Sequence, residues 1–411
     1  MHPPDVILFS SNELRIQQIV ERVECSSAGT LHVVKGGEPM SSAKLLSLNV
    51  GLVICDSFDS GREISLFRQL CEHGERFSTL ECDDLEARAA WGVRRFVSLG
   101  RKHCCGRYSG LPSLTQIAAA IDKSRLLQRC VRDRSSSPEQ SRQPALLRDN
   151  EWQPLHVGKV FKIRHIEPFF QPKLCLMTQR ILGVEVLARW RHPELGVLPP
   201  SRFLPAIDQL NLHRPLFEAL LEQGLNVHRK VLHLGQTLDF SYNIETRQLL
   251  EEGFASRLLA QIKEAGIAPG LITLEITEKG ALAFDMAVIE NITLLVQRGI
   301  QLSLDDFGCG FSSLERLAQF PFTQIKLDAS FIAGALDFRQ SQIIKCVCAL
   351  ATSLGLEVVA EGVETESQRL HLKKLGVDAA QGYLFHKPMD GPSLISMLSD
   401  ASARSSRRVR G

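Results

Sequence analysis

The stretch QLSLDDFGCGFSSL, residues 301–314, ends an apolar run on two adjacent carboxylates and then enters a glycine-rich turn. Asp305 and Asp306 repel each other when both are charged, so their adjacency favours a positive group between them. An apolar run of this length with β-branched or aromatic neighbours is typical of a buried strand. The stretch therefore predicts a strand that ends in a cation site.

Strand-like segments of the same kind recur through the second part of the chain, with helical periodicity between most of them. They read GVEVLARW, LDFSYNI, LITLEIT, IQLSLDDF, QIKLD, LEVVAEGV and AAQGYLF. These alternating strands and helices extend over roughly 250 residues, which is the usual length of a TIM-type barrel. A doubly wound open sheet also fits this periodicity, so periodicity alone leaves both folds open.

Nearly every one of these strands carries, near its C-terminal end, a side chain that can bind a metal or move a proton. The side chains are those of Glu185, Asn243, Glu275, Asp305, Asp306, Lys326, Glu361 and Gln381. One acidic residue at a strand end is more often a helix cap or a solvated loop residue. In a closed parallel barrel, however, all of these side chains converge at the carboxyl end, which favours a single site.

The residue types predict the chemistry of that site. Crowded carboxylates raise one another's pKa values unless cations neutralise them. All candidate ligands are oxygen donors, which favours Mg²⁺ or Mn²⁺ over Zn²⁺, and Asp305 with Asp306 can reach two ions. Two such ions are typical of enzymes in which water attacks a phosphorus atom. Lys326 would orient or deprotonate that water. The alternative is that Lys326 only forms a salt bridge with Asp328. Arg189 is either a phosphate ligand or a surface residue.

The first part of the chain predicts a smaller α/β domain with a parallel sheet. Strand-like runs stand at DVILF (5–9), GLVIC (51–55) and FVSL (96–99), separated by helix-compatible stretches. Residues 131–149 are rich in Ser, Arg, Gln and Pro and indicate a linker.

Composition excludes several classes of protein. The 411 residues are 44% hydrophobic and 23% charged, with a net charge of +2, so there is no global attraction to DNA or to a membrane. Eleven cysteines cannot all pair within one chain, which favours reduced thiols. With neither a signal peptide nor an apolar run of about 20 residues, we expect a cytoplasmic protein without membrane insertion.

From about Phe169 to Met389 the chain resembles the EAL-domain phosphodiesterases, which hydrolyse the bacterial second messenger cyclic di-GMP to a linear dinucleotide. The motifs that carry the resemblance follow the family order: FQPK, EVLARW, HPELGVLPPSRFLP, LEITE, LDDFGCGFSSL, IKLD, VVAEGVET and QGYLFHKPM. The resemblance implies a TIM-type (β/α)8-like barrel. It also implies two Mg²⁺ or Mn²⁺ ions at each active site.

The resemblance implies roles for individual residues. The metal ligands would be Glu185, Asn243, Glu275, Asp305, Asp306 and Glu361. Lys326 would position the attacking water, with Glu361 and Gln381 in support. Gln171, Leu187, Arg189 and Asp305 would hold the substrate. Glu278 would steady the loop after the aspartate pair, residues 307–314, which in the family contributes to dimerisation.

Several positions depart from the family pattern without removing a ligand. Val186 replaces the usual Ala of the signature, Asp208 stands where many members carry Glu, and Cys309 and Phe311 replace the usual Thr and Tyr. We therefore expect catalysis, with Cys309 as an oxidation-sensitive candidate. No second, cyclase-type motif is present, so synthesis of the nucleotide belongs elsewhere.

The first part more weakly resembles a receiver domain of two-component signalling, a flavodoxin-like fold. Asp56 stands at the phosphoacceptor position, and Thr79 and Lys102 fall near the switch and lysine positions of that family. After the first strand come Ser10 and Ser11 rather than an acidic pair, so the Mg²⁺ needed for phosphoryl transfer would be poorly held. We expect a degenerate regulatory domain, with phosphorylation of Asp56 as the alternative.

The sequence thus predicts a receiver-like domain at 1–130, a linker at 131–155, an EAL phosphodiesterase domain at 156–400 and a basic, disordered tail at 401–411. Expected partners are cyclic di-GMP, further copies of the chain in a dimer or larger assembly, and a sensor kinase or other signalling protein. The alternatives are a catalytically quiet EAL receptor or scaffold, and a hydrolase for another phosphodiester.

Overall fold

The structure is a computed structural model. It describes residues 4–26, 29–35, 40–73, 77–83, 85, 87–100, 102–129, 163–277, 285–308, 313–334 and 337–408. Contacts group the chain into two compact units, one of residues 1–151 with 283–297 and one of residues 152–282 with 298–411. The predicted linker, 131–155, lies outside the described residues, and the predicted domain limits stay predictions.

A five-stranded parallel sheet forms the centre of the N-terminal unit. Its strands are β1 (Asp5–Phe9), β2 (Leu31–Val34), β3 (Val50–Cys55), β4 (Ser78–Cys82) and β5 (His103–Tyr108). Their order is β2-β1-β3-β4-β5 and every pair is parallel, which is the flavodoxin-like arrangement. The predicted flavodoxin-like fold is confirmed.

Helices cover both faces of this sheet. They are α1 (Glu13–Glu24), α2 (Ser42–Leu46), α3 (Gly61–His73), α4 (Ala87–Leu99) and α5 (Leu114–Arg129). Ile19 of α1 and Ile117 of α5 belong to the apolar cluster on one face. Because side chains alternate along a strand, Phe9 lies on the opposite face, where its ring contacts Phe67, which in turn contacts Phe96.

The strand predicted at 96–99 is wrong, because these residues end α4. Buried Val93, Phe96 and Val97 recur at helical spacing, and a four-residue apolar run cannot by itself distinguish a strand from a helix segment. The strand that pairs with β4 at this edge of the sheet is β5. Its first two residues are exposed, so its sequence lacks the alternation of a half-buried strand.

The second unit is a closed barrel. Its strands are β6 (Ile166–Cys175), β7 (Ile181–His192), β8 (Gly196–Leu198), β9 (Asp239–Ile244), β10 (Ile272–Thr277), β11 (Gln301–Phe307), β12 (Gln324–Leu327), β13 (Glu357–Ala360) and β14 (Ala379–Ala380). The order β6-β14-β13-β12-β11-β10-β9-β7 closes through a β6–β7 pairing, and β8 only extends β7 as a hairpin. Strand β6 is antiparallel to both neighbours, and the other pairs around the ring are parallel. The predicted TIM-type barrel is confirmed.

The remaining helices are α6 (Leu204–Leu210), α7 (His213–His233), α8 (Phe254–Glu264), α9 (Met286–Gln297), α10 (Ser313–Gln319), α11 (Phe338–Leu354), α12 (Glu366–Leu375) and α13 (Gly391–Arg408). By its contacts α9 groups with the N-terminal unit. Capping boxes at Asp337 and Thr365 begin α11 and α12, and Gly355, with φ 69°, ends α11. Among the described helices, none combines the length and the apolar character that a membrane crossing requires.

Candidate active site

The register of the barrel strands brings most of the predicted residues to the carboxyl end. Glu275 of β10 lies directly opposite Asn243 of β9, and Asp305 of β11 lies opposite the residue two positions after Glu275. Glu361 and Gln381 directly follow β13 and β14. Positions two apart on neighbouring strands face the same side of the sheet, so these side chains share the barrel mouth.

Lys326 of β12 stands at the centre of the group. Its Nζ lies 2.5 Å from Glu361 Oε1, 2.7 Å from Glu275 Oε2, and 3.2 Å from both Glu185 Oε2 and Asp305 Oδ1. The lysine side chain is 1% exposed. One ammonium group therefore contacts four carboxylates from four different strands, inside the barrel and away from water.

Two amide side chains hold the carboxylates in place. Gln381 Nε2 donates to Glu185 Oε2 and, at 3.3 Å, to Glu361 Oε1. Asn243 Nδ2 donates to Glu185 Oε1 at 2.9 Å. Glu185 thus receives hydrogen bonds on both oxygens. Asn243, predicted to be a metal ligand through its carbonyl oxygen, orients a neighbouring carboxylate through its amide nitrogen in this structure.

The charges in this cluster do not balance. Four carboxylates around one ammonium leave a net charge of −3 when all are ionised, since four minus one is three. Burial, together with the charges of Glu185 and Asp305, raises the pKa of Glu275 to about 8, and burial raises the pKa of Glu361 to about 7. Burial also acts against the charged form of Glu185, but the ammonium of Lys326 lowers its pKa to about 2. Protons therefore supply part of the positive charge that the cluster needs.

The donor set fits a hard divalent cation. Within the described residues, Glu275 Oε1 and Gln381 Oε1 are buried acceptors that receive no hydrogen bond. Buried acceptors are normally satisfied, so two orphaned oxygens beside excess negative charge indicate that a positive ligand belongs there. In the same part of the chain no three His, Cys, Asp or Glu side chains form a ready-made metal shell, because the carboxylates close around Lys326 instead.

The backbone at the aspartate pair departs from regular strand geometry. Pairing of β11 with β12 is irregular between Leu304 and Phe307, and Asp306 has a φ of 56°. In a regular strand adjacent side chains point to opposite faces, and this left-handed residue breaks that alternation. Gly308 follows with φ 95°, and a Cβ there would lie 2.4 Å from the ring of Phe331.

Three of the four predicted substrate residues lie on β6 and β7, and the fourth, Asp305, lies on β11. Gln171 pairs in register with Glu185, and its Nε2 donates to the backbone oxygen of His386 at 3.2 Å. The guanidinium of Arg189 lies 5.7 Å from the centroid of the Phe169 ring, and burial lowers its pKa. Leu187 is half-buried on the same strand. A desolvated cation on β7 is suited to a phosphate, since little water must be removed on binding.

Three predicted residues lie outside the described part of the chain. They are Glu278, Cys309 and Phe311. Of the predicted dimerisation loop, 307–314, residues 309–312 also lie outside the described residues. Their roles stay predictions.

The barrel interior holds a second polar group that sequence reasoning missed. Lys173 Nζ lies 2.9 Å from Asp239 Oδ2 and also donates to Ser241, while Thr273 Oγ1 donates to Asp239 Oδ1 at 2.7 Å. Asp239 and Ser241 precede Asn243 at two-residue steps on β9. This period-two series of polar residues was the signal that could have revealed a network below the site.

Three residues of the N-terminal unit were predicted to occupy receiver positions at the carboxyl ends of strands. The structure places one of them there and the other two at the opposite edge of the sheet. Asp56 directly follows β3, at the carboxyl edge of the sheet. Thr79 is the second residue of β4 and Lys102 precedes β5, so both lie at the opposite edge. Their assignment to the switch and lysine positions is wrong. The side chains that do contact Asp56, Arg15 and Tyr108, were missed.

Fold and site together define a TIM-type barrel protein with buried oxygen donors at the carboxyl ends of its strands. Residues 157–388 match the family model described as the EAL domain, which is more than half of the 411 residues. The chain belongs to the EAL-domain family, as the sequence motifs predicted.

Named relatives extend this finding. Over 224 residues the chain is 44% identical to the cyclic di-GMP phosphodiesterase RocR of Pseudomonas aeruginosa, covering 54% of this chain and 57% of RocR. It is 31% identical to the cyclic di-GMP phosphodiesterase PdeL of Escherichia coli K12, covering 59% of this chain and 68% of PdeL. The chain thus spans 57% of the length of RocR, and only 35% of that of MucR, a bifunctional diguanylate cyclase and cyclic di-GMP phosphodiesterase of P. aeruginosa.

Solved structures are similar in fold. The PaMucR phosphodiesterase in complex with c-di-GMP matches with a TM-score of 0.55 and 32% identity, over 59% of this chain and all of that chain. The EAL enzyme Bd1971, in its cAMP- and cyclic-di-GMP-bound form, matches with a TM-score of 0.56 and 29% identity, over 59% of this chain and 67% of that chain.

Proposed function

We propose that this protein is a divalent-metal-dependent phosphodiesterase that hydrolyses cyclic di-GMP to the linear dinucleotide pGpG. The observation that carries the proposal is the set of four carboxylates around Lys326 at the carboxyl end of an EAL-family barrel. Relatives with the same domain, RocR and PdeL, bear the name cyclic di-GMP phosphodiesterase. The uncompensated negative charge of the cluster supports the metal dependence.

Two Mg²⁺ or Mn²⁺ ions are the proposed cofactors. Their ligands would be the carboxylates Glu185, Glu275, Asp305, Asp306 and Glu361, with the side-chain oxygen of Asn243. When bound, such ions activate a water molecule and neutralise the charge that develops on the phosphate. Glu275 and Glu361, whose pKa values are about 8 and about 7, give up protons when cations enter.

The other side chains would position the reactants. Lys326, within 2.5–3.2 Å of four carboxylates, would orient the attacking water and take up negative charge beside it. Gln381 would keep the two glutamates that it contacts, Glu185 and Glu361, at a fixed separation. Gln171, Leu187, Arg189 and Asp305 would bind the substrate.

The regulatory proposals rest on the family resemblance. A flavodoxin-like N-terminal unit supports control by a receiver-like domain, with assembly into dimers or larger oligomers and a signalling protein as partner. The cytoplasm is the proposed location.

The experiment is an incubation of purified full-length protein with cyclic di-GMP and Mg²⁺ or Mn²⁺, followed by chromatography. We expect the linear dinucleotide to accumulate, and we expect none with chelator or in Glu185→Ala. Nucleotide binding without turnover in either metal would overturn the proposal and leave an EAL receptor. Turnover that is equal in Glu185→Ala would also contradict it.

A further inference from the structure

The N-terminal unit contains a crevice at the point where its strand order reverses. Strands β1 and β3 are neighbours, and the chain leaves their carboxyl ends at Ser10 and Asp56. In doubly wound sheets this crevice is the usual place for a ligand. Here the Asp56 side chain is 1% exposed and Ser10 is fully buried, so the crevice is filled from within the chain.

The filling group is the guanidinium of Arg15, from the first turn of α1. Its Nη2 lies 2.5 Å from Asp56 Oδ1, and its Nε lies 3.0 and 3.1 Å from the two carboxylate oxygens. Tyr108 donates to Oδ1 at 2.9 Å and Ser10 donates to Oδ2 at 2.8 Å. Asp56 therefore accepts hydrogen bonds on both oxygens from three side chains.

Arg15 also reaches two neighbouring segments. Its Nη2 lies 2.6 Å from the backbone oxygen of Gly110 and 3.1 Å from Cys82 Sγ. One side chain thus links α1 to the carboxyl ends of β3 and β4 and to the turn after β5. The hydrogen bond to Asp56 raises the pKa of Arg15, and burial raises the pKa of Tyr108, which favours the protonated, donating form of both side chains.

We propose that Arg15 is an internal substitute for a divalent cation: its guanidinium occupies the cation position beside Asp56 and locks the N-terminal unit in one arrangement that neither Mg²⁺ nor a phosphoryl donor changes. The proposal concerns the N-terminal unit alone and does not depend on the activity of the barrel. It gives that unit the character of a fixed structural module rather than a phosphorylation switch.

The physical reason is the cost of replacing the arginine. A cation that entered would have to displace a bidentate, charge-assisted pair and separate the half-buried guanidinium from the buried carboxylate. Asp56 is also a weaker nucleophile toward a phosphoryl donor, because both of its oxygens accept hydrogen bonds.

The test uses the full-length chain, because hydrogen exchange can be followed in peptides from α1 within the whole protein. Wild type, Arg15→Met and the double variant Arg15→Met/Asp56→Asn are compared by hydrogen exchange of peptides that cover α1, with and without Mg²⁺. Arg15→Met keeps the length of the side chain and removes its charge, which leaves the buried carboxylate unpaired. The double variant is the matched control, because it removes the carboxylate too. Intact mass after treatment with acetyl phosphate and Mg²⁺ is measured on wild type and Asp56→Asn.

In wild type we expect no added phosphoryl mass and no effect of Mg²⁺ on the exchange of α1. In Arg15→Met we expect α1 to exchange at least tenfold faster, and Mg²⁺ to restore much of the protection. The double variant should show no response to Mg²⁺ in α1. Phosphorylation of wild-type Asp56, a response of wild-type α1 to Mg²⁺, or equal responses of the single and double variants would each overturn the proposal. If Arg15→Met does not fold, Arg15→Lys, which keeps one charge and loses the fork, should show the same pattern in weaker form.

Discussion

Lys326 Nζ lies 2.7 Å from Glu275 Oε2, and the two side chains are 1% and 0% exposed. A buried ion pair of this kind is a weak contributor to stability, because desolvation offsets most of the attraction. Its position at the mouth of the barrel, with Glu185, Asp305 and Glu361 around it, is therefore better explained by function than by folding.

Replacing Lys326 by Met should lower the turnover of cyclic di-GMP by roughly 100-fold or more, since it removes the group that we propose orients the water. The matched control is Lys173→Met, because Lys173 is also buried in the barrel and also pairs with a carboxylate, that of Asp239. Lys173→Met should lower stability but leave kcat per folded molecule within about threefold. Equal losses of kcat in the two variants would mean that Lys326 acts only through folding.

The metal-free protein should lose stability as the pH rises from about 4.5 to about 8. Glu275 and Glu361 have pKa values of about 8 and about 7, above the ordinary value of 4.5. The folded state therefore binds protons more strongly than the unfolded state, and that stability is present at low pH and lost on deprotonation. We expect a loss on the order of 3 kcal/mol in urea unfolding between pH 5 and 8.

Glu275→Gln, which imitates the protonated acid, should flatten this dependence. Saturating Mg²⁺ should flatten it in wild type, because cations replace the protons. A pH profile that is the same with and without the ion, or the same in Glu275→Gln, would contradict the charge imbalance.

Gly308→Ala should disturb the segment that follows the aspartate pair. Its φ of 95° disfavours a side chain, and a Cβ would lie 2.4 Å from the Phe331 ring. Gly266→Ala is the control, since its φ of 69° is also positive but no atom lies within 4 Å of a Cβ placed there. We expect Gly266→Ala to cost about 1 kcal/mol of folding free energy, and Gly308→Ala about 1–3 kcal/mol more, with lower activity. Similar unfolding curves for the two variants would show that the contact with Phe331 is unimportant.

Below neutral pH His228 should contribute a component of opposite sign, smaller than that of the two glutamates together. His228 is fully buried and stacks on Phe240 with ring centroids 3.9 Å apart. Burial, partly offset by the charge of Asp239, lowers its pKa to about 4. The unfolded state takes up this proton first, so stability present above pH 6.5 should fall by up to about 3 kcal/mol as the pH approaches 4. His228→Phe, which keeps the stacking, should remove this component, and an unchanged acid limb in that variant would refute the assignment.

The barrel could be predicted from the sequence because each of its strands carries two separate signals. LITLEIT and QIKLD are apolar runs of strand length, and each carries a polar residue that a closed barrel brings to the mouth. What could not be predicted was how the side chains satisfy one another: that Asn243 donates to Glu185, or that Lys326 contacts four acids. Those contacts depend on which strands are neighbours across the ring, which no local pattern encodes.

The N-terminal unit was harder for a related reason. Its central strands β1 and β3 are continuous apolar runs, but β5 begins with the exposed residues His103 and Cys104 and resembles a loop. Because a strand was predicted at 96–99 instead of β5, Lys102 was assigned to the carboxyl end of a strand, whereas it precedes β5. Arg15 was missed because its partner Asp56 is 41 residues away in the chain.

The most direct test of the central claim, that the acids around Lys326 form a two-metal phosphodiesterase site, is one Mn²⁺ titration of metal-free protein with two readouts. Bound Mn²⁺ is counted by equilibrium dialysis, and the linear dinucleotide formed from cyclic di-GMP is measured on the same samples. We predict that hydrolysis is absent without Mn²⁺ and rises as two ions bind per chain, with at least one ion lost in Glu275→Gln. Hydrolysis that persists without bound metal, or its absence when two ions are bound, would contradict the account.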